Sequence, residues 1–330
     1  MSRFIQTART LGFASLFALG VQVPMAQAAY PEAPIRLIIP YAPGGNVDIT
    51  ARAVGTAMAR ELKQSIVMEN MAGAGSTVGA GYVARAKPDG YTMLCTTIVA
   101  LITDPTLIPG SKVKLDDFAP VGMMAVVPSV LEVKADNKHG IKDFDGFIKY
   151  AKDHPGDVAL ANSGLGTTNH IAELLLERDF GIKTNIIPYK GSTPALTDLL
   201  GGQTDAIVDQ LTSSQPLIQA GKLLPIASTA GKRTKDLPNV PTISELSKKD
   251  FEMVTSTVLM MPKDTPLAMR QTLNEALNKA LADPAVVRAL SQVGADVAPG
   301  NIDSFSKVLA SETAKLQPLI DSGAIAPAKN

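Results

Sequence analysis

The stretch Ile35-Arg-Leu-Ile-Ile-Pro-Tyr-Ala-Pro-Gly-Gly45 decides the fold of this chain. Its first five residues form a short apolar run that is typical of a buried β-strand, and Pro43-Gly44-Gly45 ends that run. Apolar residues then recur at helical spacing from about Val47 to Lys63, which predicts an amphipathic helix. A buried strand followed by such a helix indicates the first part of a βαβ unit.

The same alternation continues along the chain. Short apolar runs predict further strands at Ile66–Met68, Tyr91–Thr96, Val158–Ala161, Asn185–Tyr189, Ala206–Asp209 and Leu224–Ser228. One helix between them is predicted to start with Thr193 as its N-cap and to end at Gly201-Gly202, and another to end at Lys87. The C-terminal part is mainly helical in pattern, at Met269–Leu281 and Ile302–Leu319. Together the patterns predict an α/β fold with a largely parallel sheet.

Residues 1–28 have the pattern of a secretory signal peptide. Arg3 and Arg9 give a basic start, Leu11–Val23 is apolar, and Ala26-Gln27-Ala28 supplies the small-x-small pattern of a cleavage site. We therefore expect the mature protein to begin near Ala29 and to lie in the periplasm. A membrane anchor is the alternative, but a spanning helix needs about 20 apolar residues, and this run is shorter and interrupted by glycines.

Composition argues against several classes of function. The chain has 31 basic and 31 acidic residues, and no basic block stands out, so nucleic acid is not an expected partner. Three scattered His residues and the single Cys95 predict no zinc-type metal site and a buried, inert thiol. Hydrolase, metalloprotease and P-loop motifs are missing, so an enzyme is not expected. No cofactor is expected either, because Val78 replaces the third glycine that a dinucleotide fingerprint starting at Gly73 needs.

A glycine-rich loop leads into a helix at three places, after Ile39, after Asn70 and after Asn162. Ligands of parallel sheets bind at the carboxyl ends of strands, and helix N-termini there present N–H groups that suit an anion. Glycine lets the backbone approach such a ligand closely. The sequence therefore predicts a carboxylate site at this edge of the sheet, although each loop taken alone is equally well explained as a tight turn.

Seven motifs resemble, in order, those of the tripartite tricarboxylate transporter receptors, the Bug family of periplasmic binding proteins. They are Tyr41-Ala-Pro-Gly-Gly-Asn-Val-Asp48, Glu69–Ser76, Lys87–Leu94, Gly164–His170, Pro188–Ala195, Asp198–Gln203 and Leu237–Thr242. The resemblance covers nearly the whole mature chain. Met71-Ala72 in place of Arg-Pro, Asn169 in place of Ser and the lack of any Trp depart from the family pattern and leave the ligand identity open.

This resemblance implies a type II periplasmic-binding-protein fold with two domains, residues 29–125 plus 253–330 and residues 126–252. Each domain is expected to have a mainly parallel sheet flanked by helices, and two crossover strands join them. The implied function is capture of a small carboxylate-containing or amino-acid-like ligand in the interdomain cleft by a monomeric receptor. The receptor then delivers the ligand to large and small multi-span subunits of a membrane transporter. A sensor subunit for a membrane kinase, or an exported enzyme, is the alternative.

The candidate ligand-binding residues lie in these motifs and at the ends of the predicted strands. They are Tyr41, Pro43, Gly44, Gly45, Asn46, Asp48, Ala74, Gly75, Ser76, Thr97, Ser163, Gly164, Thr167, Thr168, His170, Tyr189, Lys190, Gly191 and Asp209.

Several candidates have a structural alternative. Asp48 contacts a ligand amine or hydroxyl, or it stabilises the start of its own helix. One of Thr167 and Thr168 is expected to cap a helix, and His170 has a similar structural alternative. Lys190 pairs with a second carboxylate, or it is simply solvated.

Overall fold

The computed structural model describes residues 30–249 and 251–326, so the predicted signal peptide lies outside the described residues. The described residues form ten β-strands and eleven α-helices. The strands are β1 (Ile35–Ile39), β2 (Ile66–Asn70), β3 (Thr92–Thr97), β4 (Phe118–Lys134), β5 (Ala159–Asn162), β6 (Asn185–Pro188), β7 (Ala206–Gln210), β8 (Leu223–Ser228), β9 (Val254–Pro262) and β10 (Asp296–Val297). The helices are α1 (Asn46–Leu62), α2 (Thr77–Ala84), α3 (Ile98–Leu107), α4 (Phe144–Asp153), α5 (Thr168–Phe180), α6 (Ser192–Leu200), α7 (Leu211–Gln219), α8 (Ile243–Ser247), α9 (Leu267–Ala282), α10 (Pro284–Ser291) and α11 (Ile302–Asp321).

The strands follow the order β2-β1-β3-β9-β4-β7-β5-β6, and β8 and β10 also pair with β4. β1 is parallel to β2 and β3, and β5 is parallel to β6 and β7. β9 is antiparallel to its neighbours β3 and β4, and β4 is antiparallel to β7 and β8. We call β1, β2, β3, β9, β10 and residues 118–128 of β4 the first half-sheet. The second half-sheet consists of β5 to β8 and residues 129–134 of β4.

Two neighbouring strands carry the chain between the half-sheets. β4 pairs with β9 over residues 118–128 and with β7 and β8 over residues 129–134, and the return passage enters β9 after Met253. Thr229, which follows β8, binds both passages: its N–H donates to Ser129 O at 2.9 Å, and its O accepts from Met253 N–H at 2.9 Å. The domain boundaries predicted near residues 126 and 252 fall at these passages, and they stay a prediction.

The C-terminal helices complete the layer around the first half-sheet. α9 packs on α1, and α11 packs on α3. Leu277 of α9 shares a buried cluster with Val54 and Met58 of α1. Gly122 of β4 permits this approach, because a Cβ there would lie 2.7 Å from Leu277 Cδ2. Within the described ranges, no helix combines the length and the apolar character that a bilayer span requires.

The structure differs from the sequence patterns at two helix ends. Gly191, not Thr193, is the N-cap of α6, because Thr193 Oγ1 donates instead to Pro43 O at 3.1 Å. α2 ends at Ala84 rather than at Lys87, with Arg85 as its C-cap. The long strand β4 was not predicted from its own pattern, since most of its residues are buried and such a strand shows no alternation.

Candidate ligand-binding site

A cavity of about 20 Å³ lies where loops from the two half-sheets meet. This volume is enough for about one water molecule. The loops follow the carboxyl ends of β1, β3, β5, β6 and β7, which is the edge of the sheet where the sequence predicts a site. The cavity is lined by Tyr41, Ala42, Gly45, Asn46, Val47, Thr97, Ser163, Thr167, Thr168, Gly191, Ser192 and Gln210.

Among the described helices, α1, α3, α5, α6 and α7 have N-cap residues that line this cavity. These N-caps are Gly45, Thr97, Thr167, Gly191 and Gln210. The side chains of Thr97 and Thr167 cap their own helices by accepting from backbone N–H groups. Gly45 and Gly191 have no side chain that could do so, and the Gln210 side chain makes no such bond. The first N–H groups of α1 and α6 therefore meet the cavity without a side-chain cap, which is the arrangement that binds anions.

Most residues that line the cavity have polar, uncharged side chains: of the residues that the structure describes, no Asp, Glu, Lys or Arg lines it. Asn46 is 2% exposed and Thr168 is fully buried. Asn46 Oδ1 and Thr168 Oγ1 have no hydrogen-bond partner within residues 30–249 and 251–326. Burying an unpaired polar atom costs about 1–3 kcal/mol. These two atoms are therefore available to a partner that does not belong to the chain.

Two threonines of β9 hold amide side chains at the cavity. Thr257 Oγ1 accepts from Asn46 Nδ2 at 3.4 Å, and Thr255 Oγ1 accepts from Gln210 Nε2 at 3.2 Å. Thr255 and Thr257 lie two residues apart, so both side chains leave the same face of the strand. The crossover strand β9 thus contacts one lining residue on each side of the cavity, Asn46 of α1 and Gln210 of β7.

Helices and loops that belong to the two half-sheets touch each other on both sides of the cavity. Thr193 Oγ1 of α6 donates to Pro43 O at 3.1 Å, and Thr103 Oγ1 of α3 donates to Gly166 O at 2.8 Å. Gly191 has a φ of +138°, and a Cβ there would lie 3.0 Å from Ala42 Cβ, so only glycine permits this close approach. These contacts hold the loops of the two halves together around the cavity in this conformation, which we call the enclosed conformation.

Asp104 of α3 is a buried carboxyl at one of these contacts. Its Oδ2 accepts from Ser76 N–H at 3.2 Å and from Ser76 Oγ at 2.6 Å. Its Oδ1 has no partner among the described residues and faces Gly166, where a Cβ would lie 2.0 Å away from it. Burial raises the pKa of Asp104 to about 7, against the opposing effect of the Ser76 hydrogen bonds. Sequence reasoning missed Asp104, although an acid within the apolar run Ile98–Leu107 was an available signal.

Asp209 does not line the cavity, but it holds residues that surround it. Its Oδ1 accepts from Ser192 Oγ at 2.6 Å and from Asn169 Nδ2 at 3.1 Å. Burial raises the pKa of Asp209 to about 7. Glu132 is buried nearby, and its pKa is raised by burial above all and further by the charge of Asp209. Asp209 therefore acts as a support for Ser192 from within the second half-sheet.

The structure shows what Asp48 and the two threonines bond to within the chain. Asp48 accepts from Gly44 N–H, from Arg52 and from Asn70, so both of its oxygens serve the start of α1. Burial raises its pKa, but these bonds outweigh the burial and the net pKa is lowered. Thr167 is the helix cap, and Thr168 is the threonine whose hydroxyl stays available.

Three other candidates have side chains outside the cavity lining. His170 is buried, its Nδ1 lies 3.3 Å from the Gly166 backbone nitrogen, and burial lowers its pKa to about 4, so the ring is neutral near pH 7. Tyr189 donates its hydroxyl to Asp198 at 2.7 Å. Lys190 is exposed.

The remaining candidates flank the cavity. Gly164 is buried behind it, Ser76 contacts Asp104, Gly75 approaches the same carboxyl, and Pro43, Gly44 and Ala74 lie on loops. The structure brings Tyr41, Gly45, Asn46, Thr97, Ser163, Thr167, Thr168 and Gly191 together around it. Sequence reasoning missed Ala42, Val47, Ser192 and Gln210. Each of these is a direct neighbour in sequence of a predicted residue, and that adjacency was the only signal.

The described residues contain no group of three or more His, Cys, Asp or Glu side chains suited to a metal ion.

The family of tripartite tricarboxylate transporter receptors matches residues 50–325. The chain belongs to this family. It is 37% identical over 294 residues to a protein from the tcbD–tcbE intergenic region of Pseudomonas sp. (strain P51), a match that covers 88% of this chain and 87% of that protein.

Solved structures agree with the family assignment. The chain is similar to the periplasmic binding protein BugD, with a TM-score of 0.84, 32% identity, and coverage of 90% of this chain and 100% of BugD. It is also similar to MatC from Rhodopseudomonas palustris, solved with bound malate, with a TM-score of 0.83, 29% identity, and coverage of 88% and 100%. The predicted membership of the Bug-type receptors and the predicted α/β periplasmic-binding fold are confirmed. The family is one of solute-binding receptors rather than of enzymes.

Proposed function

We propose that this receptor is exported to the periplasm, captures a small carboxylate between its half-sheets and delivers it to the membrane subunits of a tripartite tricarboxylate-type transporter. One observation carries the proposal: the uncapped N-termini of α1 and α6 meet at a cavity with uncharged walls. A carboxylate there accepts backbone N–H hydrogen bonds, each contributing about 1.5–3 kcal/mol. The malate bound in the similar MatC supports the same ligand chemistry.

Binding is tested with purified mature protein and a panel of mono-, di- and tricarboxylates in a thermal-shift screen, followed by calorimetry. A ligand at 100 times its Kd stabilises the folded state by about 2.7 kcal/mol. The informative variant is Gly45→Val. Gly45 has a φ of −83°, and a Cβ there meets only ordinary contacts, the nearest at 3.7 Å and Ser192 N at 3.9 Å. The fold therefore tolerates a side chain whose methyl groups fill the space between α1 and α6.

The matched control is Gly201→Val. Gly201 has a φ of −74°, and a Cβ there meets only ordinary contacts, the nearest at 3.4 Å. We expect Gly45→Val to lose the ligand-induced stabilisation and Gly201→Val to keep it. Full affinity in Gly45→Val would contradict the proposed anion site.

Ligand entry requires the half-sheets to separate, because a cavity of about 20 Å³ is smaller than any organic acid. We expect the free protein to populate an open form and the ligand to favour the enclosed one through contacts from both half-sheets. Small-angle scattering should therefore give a smaller radius of gyration with ligand. An unchanged radius would indicate a preformed site instead.

Delivery to a transporter is a separate claim and needs its own experiment. Uptake of the identified ligand should be lost in cells that lack the receptor gene and restored when the gene is returned. Unchanged uptake, together with a lost transcriptional response to the ligand, would favour the sensor alternative.

A further inference from the structure

We propose that Asn46 recognises a hydrogen-bond donor on the ligand, so that the preferred ligands are hydroxy or amino acids rather than plain carboxylic acids. This inference rests on the proposed function and narrows its ligand class. Asn46 is the first residue of α1 and lines the cavity. Its backbone N–H belongs to the uncapped helix start, and its side chain lies beside that start. The recognised donor therefore lies close to the bound carboxylate.

In this structure the Asn46 amide is placed with Nδ2 beside Thr257 of β9. Nδ2 donates to Thr257 Oγ1 at 3.4 Å, which leaves Oδ1 as the atom without a partner among the described residues. An amide oxygen accepts hydrogen bonds and cannot donate them. A second carboxylate next to Oδ1 would therefore meet an acceptor and be repelled, whereas a hydroxyl or ammonium group would satisfy it.

The other amide at the cavity provides an internal contrast. Gln210 Nε2 donates to Thr255 Oγ1 at 3.2 Å, and Gln210 Oε1 accepts from Asn169 Nδ2 at 3.1 Å. Both ends of Gln210 are thus bonded within the protein. Thr168 Oγ1, the second unpartnered atom, is a hydroxyl that can donate to a carboxylate. The chain therefore offers the ligand a donor, the Thr168 hydroxyl of α5, and an acceptor, Asn46 Oδ1 of α1.

Matched acids test the inference directly. Succinate, malate and aspartate share a four-carbon diacid skeleton and differ by a hydrogen, a hydroxyl and an ammonium group at one carbon, and propionate, lactate and alanine form a second such set. We expect at least one substituted acid to bind about tenfold or more tightly than its parent, because the parent leaves Oδ1 unpaired. Equal affinities within both sets would overturn this inference and leave the proposed function standing. If no acid in the wider carboxylate panel bound, both would be overturned.

Variants of Asn46 separate recognition from general damage to the site. Asn46→Leu keeps the approximate size of the side chain without the acceptor, so the substituted and parent acids should bind equally. Asn46→Asp keeps an acceptor but places a negative charge beside the bound carboxylate, so it should weaken malate more than aspartate, whose ammonium group pairs with the new charge. An equal or greater loss for aspartate than for malate in Asn46→Asp would overturn the inference.

The control variant is Asn274→Leu. Asn274 is also a buried asparagine, 7% exposed, and its Nδ2 donates to Val121 O in the first half-sheet, away from the cavity lining. This variant should unfold at a lower temperature but keep the preference for the substituted acid. A preference that survives in folded Asn46→Leu would contradict the assignment of Asn46.

Discussion

Replacing Asp104 with Asn should remove a pH dependence from ligand binding. In the enclosed conformation the Asp104 carboxyl is buried against Gly166, and its pKa rises from the ordinary 3.8 to about 7. In the proposed open form we expect Gly166 to lie away from Asp104 and Oδ1 to meet water, which would bring the pKa back towards its ordinary value. Closure therefore takes up a proton between these two values. The amide of the Asp104→Asn variant carries no titratable proton and resembles the protonated carboxyl in shape.

The direction and the size of the pH effect on ligand affinity follow from the difference in the Asp104 pKa between the two conformations. A carboxyl whose pKa is raised in the enclosed form favours closure fully below about pH 4, and this contribution is lost as the pH rises towards about 7. The steepest expected loss is about tenfold in affinity for each pH unit. The expected limit is about 4 kcal/mol, the free energy that corresponds to the difference between the ordinary pKa of 3.8 and about 7. Above about pH 7 the affinity should level off.

The assay is calorimetric titration of one identified carboxylate at several pH values from about 5.5 to 8, for the wild type, Asp104→Asn and Asp116→Asn. Asp116 is an exposed carboxyl of the same half and serves as the control. Asp209 also has a pKa of about 7, but its partners Ser192 and Asn169 move with it, so it affects folding rather than closure. Parallel pH profiles for the wild type and Asp104→Asn would refute the reasoning, as would affinity that rises with pH in the wild type alone.

Three further outcomes are expected. Thr168→Val should weaken carboxylate binding about tenfold without lowering the Tm, measured by calorimetry and thermal unfolding, because its hydroxyl has no partner among the described residues. Tyr189→Phe should leave the affinity unchanged and lower the Tm slightly, because the Tyr189 hydroxyl donates to Asp198. A large loss of affinity would indicate that the Tyr189 hydroxyl contacts the ligand. Cys95, fully buried and with a pKa raised by burial, should react with a thiol reagent only after unfolding.

The strands and helices that could be predicted are those with a clear local pattern. β1 and α1 follow from the apolar run at Ile35–Ile39 and the helical spacing after it, and the carboxyl edge of the sheet follows from the alternation. β4 could not be predicted in this way, because a strand buried along its length resembles any apolar segment. Its role as the shared strand depends on pairings between residues far apart in the chain.

The candidate site was predictable where function depends on the backbone. Gly45 and Gly191 are N-caps without side chains, and a glycine before a helix is visible in sequence. Partners between distant side chains are not visible in the same way. Asn46 lies beside Thr257, 211 positions away, and Asp48 is engaged by Asn70, 22 positions away, which no local pattern indicates. Tyr189 was predicted to end a strand, but it lies one residue beyond the end of β6, and its hydroxyl donates to Asp198.

The paired passages of β4 and β9, joined by the hydrogen bonds of Thr229, form a two-stranded ribbon that is expected to bend as one elastic unit. Two strands hydrogen-bonded along residues 118–128 resist sliding past each other, so the easiest deformation is bending and twisting of the ribbon as one body. If ligand binding closes the two halves as proposed, part of its favourable contact energy would go into bending this ribbon, and the stiffness of the ribbon would set how much remains as affinity. Substitutions at Pro128 or Val254, which pair in the ribbon and lie outside the cavity lining, can therefore tune affinity without altering any ligand contact.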